Sequence, residues 1–155
     1  MALSFRRAAD LLTALRVLCG AILVLRPSLL VLIAGVVTDW IDGPLARRAG
    51  PTARGARFDL EADSILTLGA AVSAIRAGAS RASLIAPLLR YAVAARARRP
   101  LDRDGVRWDR LTGVAQMAVF GAALAPRPLR ALRLLAVPVS AARCATLLVQ
   151  ARRSR

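Results

Sequence analysis

The sequence contains no lysine and no histidine, and it has only two cysteines. Its 24 basic residues are therefore all arginine, and against 9 acidic residues they give a formal net charge of +15. Cys19 and Cys144 lie far apart inside apolar segments. Because neither has a neighbour at metal-ligand spacing, we expect both to pack as small hydrophobic side chains.

Aromatic residues are also scarce, at 4% of the chain, although hydrophobic residues reach 57% and the mean hydropathy is +0.52. Alanine, leucine and valine therefore carry the apolar character. A soluble domain of 155 residues does not need so much apolar material. A bundle whose outer surface is also apolar does need it. The length is that of one domain, which we place at residues 1–155.

Long uninterrupted hydrophobic runs are missing as well. The longest charge-free run is Leu111–Pro126, whereas a lone spanning helix needs about 20 apolar residues. Short helices that shelter one another, with arginines reaching to the interface, can still form a membrane bundle. We therefore predict an all-α, polytopic membrane protein with a bundle of about six transmembrane helices. The predicted helices are Ala8–Leu25, Ser28–Arg47, Gly55–Ala77, Ser80–Ala97, Trp108–Ala125 and Leu129–Arg152.

The arginines cluster at the ends of the apolar stretches. A strongly basic chain is compatible with nucleic-acid binding, but this placement is typical of membrane proteins that keep positive charge on the cytoplasmic side. We expect a multi-pass protein of the cytoplasmic membrane with no nucleic-acid partner. With a cytoplasmic N-terminus, most loop arginines lie inside, including those of the loops Arg48–Arg54 and Arg96–Arg110. The first apolar stretch lacks a small-residue cleavage site, so we expect it to be retained.

Five of the nine acidic residues fall between Asp39 and Asp63, inside otherwise apolar sequence. Ionisable groups in membrane helices are costly and indicate function. Asp39 and Asp42 are three residues apart, and Asp59 and Asp63 are four apart, so each pair shares a helix face. An antiparallel turn at Arg48–Arg54 would bring the two pairs together. Glu61 lies between the second pair and must point elsewhere.

Four converging carboxylates repel one another unless cations neutralise them. Oxygen ligands without nearby histidine or cysteine suit Mg²⁺ or Mn²⁺ better than Zn²⁺. Four carboxylates can hold two such ions about 3.5–4 Å apart, an arrangement used for in-line phosphoryl displacement. The alternative is a set of interfacial ion pairs between the carboxylates and Arg47, Arg54 and Arg57.

Small residues follow the first acidic pair. Gly43 and Ala46 would let a base or a phosphate approach the helix backbone closely, and Arg47 could then meet phosphate oxygens in fork geometry. On spacing alone, Arg47 is equally well explained as an anchor at the membrane interface.

Two stretches of the chain, Asp39–Arg47 and Gly55–Asp63, together resemble the defining motif of the CDP-alcohol phosphotransferases, also called the CDP-alcohol phosphatidyltransferase family. That motif is D-x2-D-G-x2-A-R-x8-G-x3-D-x3-D. All eight fixed positions are present, as Asp39, Asp42, Gly43, Ala46, Arg47, Gly55, Asp59 and Asp63. The loop between Arg47 and Gly55 is one residue shorter than in the pattern, and the chain is shorter than is common in the family. The segment Leu11–Arg16 is similar to the start of the family's first helix.

The resemblance implies the transfer of a phospho-alcohol group from a CDP-alcohol such as CDP-diacylglycerol to a hydroxyl acceptor, with release of CMP, in phospholipid biosynthesis. It implies that Asp39, Asp42 and Asp59 hold one metal ion and that Asp39, Asp59 and Asp63 hold the other, with Asp63 also the general base. The cytidine diphosphate site would be formed by Gly43, Ala46, Arg47, Thr52 and Gly55. The active site would face the cytoplasm, and the protein could be a homodimer.

The acceptor stays open at this point. The Asp-Trp-Ile-Asp-Gly stretch resembles phosphatidylglycerophosphate synthases, but Ser64 stands where those enzymes have a lysine. Glycerol 3-phosphate, an inositol phosphate or another alcohol are all compatible. Arg90, Arg107 and Arg110 are candidates to contact an anionic acceptor, although anchoring at the membrane surface explains these arginines better. A catalytically inactive membrane scaffold of the same fold is the main alternative to an enzyme.

Overall fold

The computed structural model of the chain describes residues 2–50, 52–96, 103–126, 129 and 131–153. All regular structure within these ranges is helical, which confirms the predicted all-α class. The helices are α1 (Ala2–Leu25), α2 (Leu29–Ala49), α3 (Ala53–Arg76), α4 (Ile85–Arg96), α5 (Arg103–Leu124) and α6 (Ala136–Arg153). Short 3₁₀ helices, Arg81–Leu84 and Ala131–Leu135, lead into α4 and α6.

Hydroxyl side chains mark the starts of α2 and α3. The Ser28 Oγ accepts a hydrogen bond from the Val31 amide at 3.4 Å, and the Thr52 Oγ1 accepts one from the Gly55 amide at 3.1 Å. These are N-cap bonds, which satisfy amide groups that have no partner inside the helix. Because Thr52 is a cap, α3 begins at Ala53, two residues before the predicted start at Gly55.

The prediction of a loop over Arg96–Arg110 is wrong in its second half, because α5 already begins at Arg103. The last proline before this helix is Pro100, so nothing in the sequence prevents helical structure from Arg103 onward. The charged residues there indicated a loop, but charges are compatible with a helix that extends beyond an apolar layer. Residues 97–102 lie outside the described ranges.

Helix α1 packs along both α2 and α3, whereas α2 and α3 touch each other little. Glycines permit this close packing. A Cβ atom at Gly69 would lie 2.2 Å from the Gly20 carbonyl oxygen, and one at Gly35 would lie 2.5 Å from Leu66 Cδ1. Small residues at helix contacts let backbones approach closely. The result is a three-helix unit in which α1 supplies side chains to the space between α2 and α3.

The core of the bundle lies beside this contact and joins α1, α2, α3 and α5. Its buried members are Cys19, Leu23, Leu32, Leu66, Ala70, Ala71, Ala74, Phe120 and Ala123. Cys19 is therefore packed as predicted, and Cys144 is half-buried; both are free thiols. Packing of this kind stabilises the bundle through dispersion and burial of apolar area.

Large apolar side chains also point outward from all six helices, with Leu30 78% and Leu11 71% exposed. Within the described ranges, two helical segments are long and apolar enough to cross a membrane, Arg6–Leu25 and Ala131–Val149. Arg110–Leu124 is apolar but shorter. Exposed leucine, isoleucine and valine side chains of this kind are compatible with the membrane surroundings that the sequence predicts.

Two arginines, Arg76 and Arg133, cap the ends of neighbouring helices. Arg76 Nη1 donates to the carbonyl oxygens of Val24 and Leu25, at 2.6 and 3.0 Å, at the end of α1. Arg133 Nη1 donates to the Ala77 carbonyl at 3.0 Å, just after α3. The last carbonyls of a helix lack partners and carry partial negative charge, so a guanidinium stabilises them.

We expect Gly69→Ala to destabilise the protein, because the new methyl group would lie within 2.2 Å of the Gly20 carbonyl oxygen and backbone must move to admit it. Overpacking of this kind costs about 1–3 kcal/mol. Gly121→Ala is the matched control, since its Cβ would meet Leu29 Cδ1 at an ordinary 3.6 Å. Thermal unfolding in detergent measures both, and equal midpoints would contradict the close α1–α3 contact.

Candidate active site

The four predicted aspartates lie on two helices that flank α1. Asp39 and Asp42 stand one turn apart in the second half of α2, and Asp59 and Asp63 stand one turn apart in the first half of α3. Carboxylate oxygens of Asp39, Asp42 and Asp59 lie within 4.8 Å of one another. The helical spacing thus brings the two pairs to one place, as the sequence predicted.

The side chain at the centre of this cluster is Arg16 of α1, which is wholly buried. Its Nη1 lies 2.7 Å from Asp59 Oδ1, 3.1 Å from Asp39 Oδ1 and 3.5 Å from Asp63 Oδ1. Its Nη2 donates to Asp42 Oδ2. A single guanidinium therefore contacts all four aspartates, and the two pairs converge through α1 rather than across the α2–α3 turn.

The cluster has a closed side and an open side. Asp42 is 4% exposed and lies against α1, where the Thr13 hydroxyl stands 3.5 Å from its Oδ2. The side chains of Asp39 and Asp59 are 45% and 52% exposed. A ligand that reaches these carboxylates therefore approaches from the side of Asp39 and Asp59.

A second arginine, Arg90 of α4, connects the cluster to the other half of the bundle. Its Nη2 donates to Asp63 Oδ2 at 2.8 Å. Asp63 is thus held at both oxygens, by Arg90 at Oδ2 and more loosely by Arg16 at Oδ1. The arrangement places a positive charge next to the predicted general base.

Glu61 points away from the cluster, as expected from its position between Asp59 and Asp63. Its Oε1 accepts a hydrogen bond from Arg57 Nε at 3.1 Å on an exposed face of α3. Arg57 is one of the three arginines that were candidates for pairing with the aspartates. The side chains of the other two, Arg47 and Arg54, lie outside the part of the chain that the structure describes.

The predicted nucleotide-binding residues follow the acidic pair along the chain. Gly43, Ala46 and Arg47 belong to the last turns of α2, and the surroundings of these three residues are outside the described part. The turn to α3 is made at Gly50, whose φ of 85° favours glycine. The Thr52 hydroxyl is bonded to the Gly55 amide, so the two predicted contacts form one N-cap at the start of α3.

Arg16 lies within the first predicted helix and was not predicted to belong to the site, whereas Arg90 was predicted only as a candidate to contact an anionic acceptor. The sequence did contain a signal for this, because a charged residue inside an apolar helix needs a partner of opposite charge. Arg143 of α6 is a third such residue. It is buried, and its guanidinium lies where a Cβ at Gly113 would be, 2.6 Å from Nη1.

The aspartates fit the divalent ions that their chemistry suggested. Ligands on opposite sides of one Mg²⁺ stand about 4 Å apart, twice the Mg–O distance of about 2.1 Å, and the three carboxylates of Asp39, Asp42 and Asp59 lie within 4.8 Å. Among the side chains that the structure describes, the four carboxylates outnumber the two guanidinium groups that contact them, so a cation would relieve their mutual repulsion. Small shifts of exposed side chains would therefore complete a cation site.

Comparison with known proteins gives one finding. The sequence model described as CDP-alcohol phosphatidyltransferase matches residues 6–145, which is most of the chain and includes most of α1, all of α2 to α5 and all six charged residues of the cluster. No curated protein and no solved structure matches the chain significantly.

Proposed function

Because the chain belongs to the CDP-alcohol phosphatidyltransferase family, we propose that it is a membrane-embedded, metal-dependent transferase. Family membership itself implies CDP-alcohol phosphotransferase activity in phospholipid synthesis, and members are generally metal-dependent. Our finer proposal is transfer of a phosphatidyl group from CDP-diacylglycerol to a hydroxyl acceptor, with release of CMP. The observation that carries it is the convergence of Asp39, Asp42, Asp59 and Asp63 on one point inside the bundle.

In this proposal Asp39, Asp42 and Asp59 hold one Mg²⁺ or Mn²⁺ ion, and Asp39, Asp59 and Asp63 hold a second. Such ions stabilise the charge of the diphosphate and of the departing CMP when they are bound. Asp39 and Asp59 belong to both sets, and they are the two most exposed members of the cluster. A diphosphate that enters from the open side meets them first.

The proposed role of Asp63 is to accept the proton of the acceptor hydroxyl. The acceptor oxygen then forms a bond to the phosphorus that carries the lipid, the bond from that phosphorus to the bridging oxygen breaks, and its electron pair leaves with CMP. Arg90 holds Asp63 Oδ2 at 2.8 Å and so fixes the orientation of the carboxylate. A positioned base of this kind raises rates by about 10²–10⁴-fold.

For the nucleotide we propose Gly43, Ala46, Arg47, Thr52 and Gly55, which follow the first acidic pair and lead into α3. The first two offer close approach to backbone, and Arg47 offers a planar fork for phosphate oxygens. The Thr52–Gly55 cap places an oxygen and helix amides at the N-terminus of α3, where backbone groups favour negative charge.

The acceptor that we propose is an alcohol, with an anionic group favoured by Arg90 near Asp63. Ser64, which stands where the related synthases have a lysine, is neutral. Its Oγ donates to the Leu60 carbonyl of its own helix at 2.8 Å, so it is not directed at an acceptor. The test is mass spectrometry of the products after purified protein is incubated with CDP-diacylglycerol, Mg²⁺ and separate alcohols, including glycerol 3-phosphate and an inositol phosphate. If CMP is released but none of the alcohols yields a new lipid, transfer to an alcohol is contradicted.

A non-catalytic membrane scaffold is the second candidate, and one observation favours it: Arg16 and Arg90 already pair with the carboxylates. The two candidates differ in their response to metal. If the protein is the enzyme, added Mg²⁺ or Mn²⁺ should raise its unfolding temperature, since a ligand that binds the folded state stabilises it. A scaffold held by ion pairs shows no such shift.

A basic nucleic-acid-binding protein is disfavoured by the outward leucines. Such a protein would be extracted into buffer without detergent.

We further propose that residues 1–155 form one domain with all six helices in the cytoplasmic membrane, and that two copies form a homodimer. The α2–α3 turn would face the cytoplasm together with the carboxylates, where water-soluble CDP-linked substrates and CMP are found. This orientation keeps most arginines of the loops inside.

Single cysteines test this orientation in a background that lacks Cys19 and Cys144. We expect Ser80→Cys, between α3 and α4, to react with a membrane-impermeant thiol reagent in intact cells. Thr52→Cys, at the α2–α3 turn, should react only after the cells are opened. Labelling of Thr52→Cys in intact cells would reverse the proposed orientation.

A further inference from the structure

The contacts of Arg16 with the aspartates resemble those of a bound cation. Its Nη1 lies within 3.5 Å of Asp39, Asp59 and Asp63 at once, although one such nitrogen carries only two hydrogens. The guanidinium therefore acts on these carboxylates mainly through its charge. Its Nε has no hydrogen-bond partner among the described residues, so the two terminal nitrogens alone hold it in place.

A divalent ion at this site would need the same oxygens. Asp39, Asp42 and Asp59 are the three residues whose carboxylate oxygens lie within 4.8 Å of one another, and all three are contacted by Arg16. An ion bound among them stands about 2 Å from each oxygen, which brings its double charge close to the guanidinium. The two positive groups then repel each other and share the same ligands.

We propose that Arg16 is a built-in competitor for the cation site, so that it lowers the affinity of the aspartates for divalent ions while it stabilises the folded bundle without them. The inference rests on the proposed function, because it presumes that divalent ions bind these aspartates. Arg16 contacts the carboxylates and not the reacting atoms, so its effect on the reaction is indirect.

The burial pattern indicates how the exchange proceeds. The contact between Nη2 and Asp42 lies on the closed side, whereas the partners of Nη1 include Asp39 and Asp59 on the open side. An ion that arrives from the open side replaces the Nη1 contacts first. The buried contact with Asp42 is retained, so Arg16 stays folded into the bundle with its charge beside the ion.

A purely structural role of Arg16 predicts the opposite change in ion affinity when Arg16 is removed. If Arg16 only held the carboxylates in position, they would move apart without it and bind the ion more weakly. If it competes, its loss removes a positive charge within a few ångströms of the ion and strengthens binding, since charges at that distance in a protein interact strongly. Ion affinity therefore distinguishes the two roles, whereas activity does not.

The experiment is isothermal titration of the purified, detergent-solubilised protein with Mn²⁺. We expect Arg16→Met to bind Mn²⁺ at least tenfold more tightly than the original protein and to unfold at a lower temperature until Mn²⁺ is added. Arg16→Gln, which keeps a donor but no charge, should change in the same direction and serves if the methionine variant does not fold. Arg57→Met removes an equal charge at the exposed pair with Glu61 and should leave the affinity unchanged.

Weaker or unchanged Mn²⁺ affinity in both folded Arg16 variants would overturn the competition while leaving the proposed metal site intact. A tenfold gain in Arg57→Met would also overturn it, because the effect would then belong to net charge alone. Absence of Mn²⁺ binding in the original protein and in both Arg16 variants would instead remove the metal site, and the proposed function with it.

Discussion

Replacing Asp59 by asparagine is expected to abolish transfer, with CMP release reduced by about 10³-fold or more. Asp59 belongs to both proposed ion sets, and its Oδ1 is also the closest carboxylate oxygen to Arg16 Nη1, at 2.7 Å. The change removes one negative charge from a site built to hold positive ones. Charge stabilisation by metal ions is worth several kcal/mol in such reactions, and each 1.36 kcal/mol corresponds to about tenfold in rate. Asp39→Asn should behave in the same way.

Glu61→Gln is the matched control for both changes. It removes the same charge by the same chemistry, two residues along α3, but its side chain pairs with Arg57 on the exposed face. An exposed pair of this kind contributes about 0–1 kcal/mol to stability, so near-normal CMP release is expected. Comparable losses in Asp39→Asn, Asp59→Asn and Glu61→Gln would instead mean that the aspartates form an ion-pair network that supports the fold.

The acidic half of the site could be predicted because it depends on local geometry. Residues three or four apart share a helix face whatever the rest of the fold does, so Asp39 with Asp42 and Asp59 with Asp63 were fixed as pairs. The exclusion of Glu61 followed from the same rule. The convergence of the pairs was also expected, from an antiparallel turn at Arg48–Arg54, but in the structure the two pairs meet through Arg16 of α1.

The contribution of α1 could not be predicted in the same way. Arg16 reaches the aspartates because α1 lies between α2 and α3, and its position along them is set by backbone contact at Gly20 and Gly69. No local pattern specifies which glycine of one helix meets which glycine of another. Because a buried charge is costly, Arg16 had to have partners. That cost does not specify which residues the partners are.

Helix boundaries followed the strength of the local signals. Ser28 places the start of α2 within one residue of the predicted one, because a serine cap has a defined geometry. The start of α5 was missed by five residues, since the charged residues from Arg103 onward were interpreted as part of a loop. Arg76 and Arg133 lie inside the predicted helices Gly55–Ala77 and Leu129–Arg152, and their role as caps of α1 and α3 depends on tertiary contacts that periodicity does not show.

The Asp63→Asn variant is expected to lose turnover while it keeps most of its affinity for the CDP-alcohol. Asparagine has the shape of aspartate, and its carbonyl oxygen can accept the hydrogen bond that Arg90 Nη2 donates to Oδ2 at 2.8 Å. The contact with Arg16 at 3.5 Å is long, so an amide on that side disturbs it little. The lost function is proton acceptance, which is worth about 10²–10⁴-fold in rate, and the first proposed ion set does not include Asp63.

CDP-diacylglycerol affinity and the rate of CMP release should therefore be measured on the same purified Asp63→Asn protein. Ser64→Ala is the adjacent control, because the Ser64 hydroxyl is bonded only to the Leu60 carbonyl and its loss should leave both quantities nearly unchanged. If affinity falls as far as rate in Asp63→Asn, the residue acts chiefly as a metal ligand and the base lies elsewhere. Near-normal CMP release in that variant would exclude Asp63 as the base, since the asparagine amide cannot take up the acceptor proton.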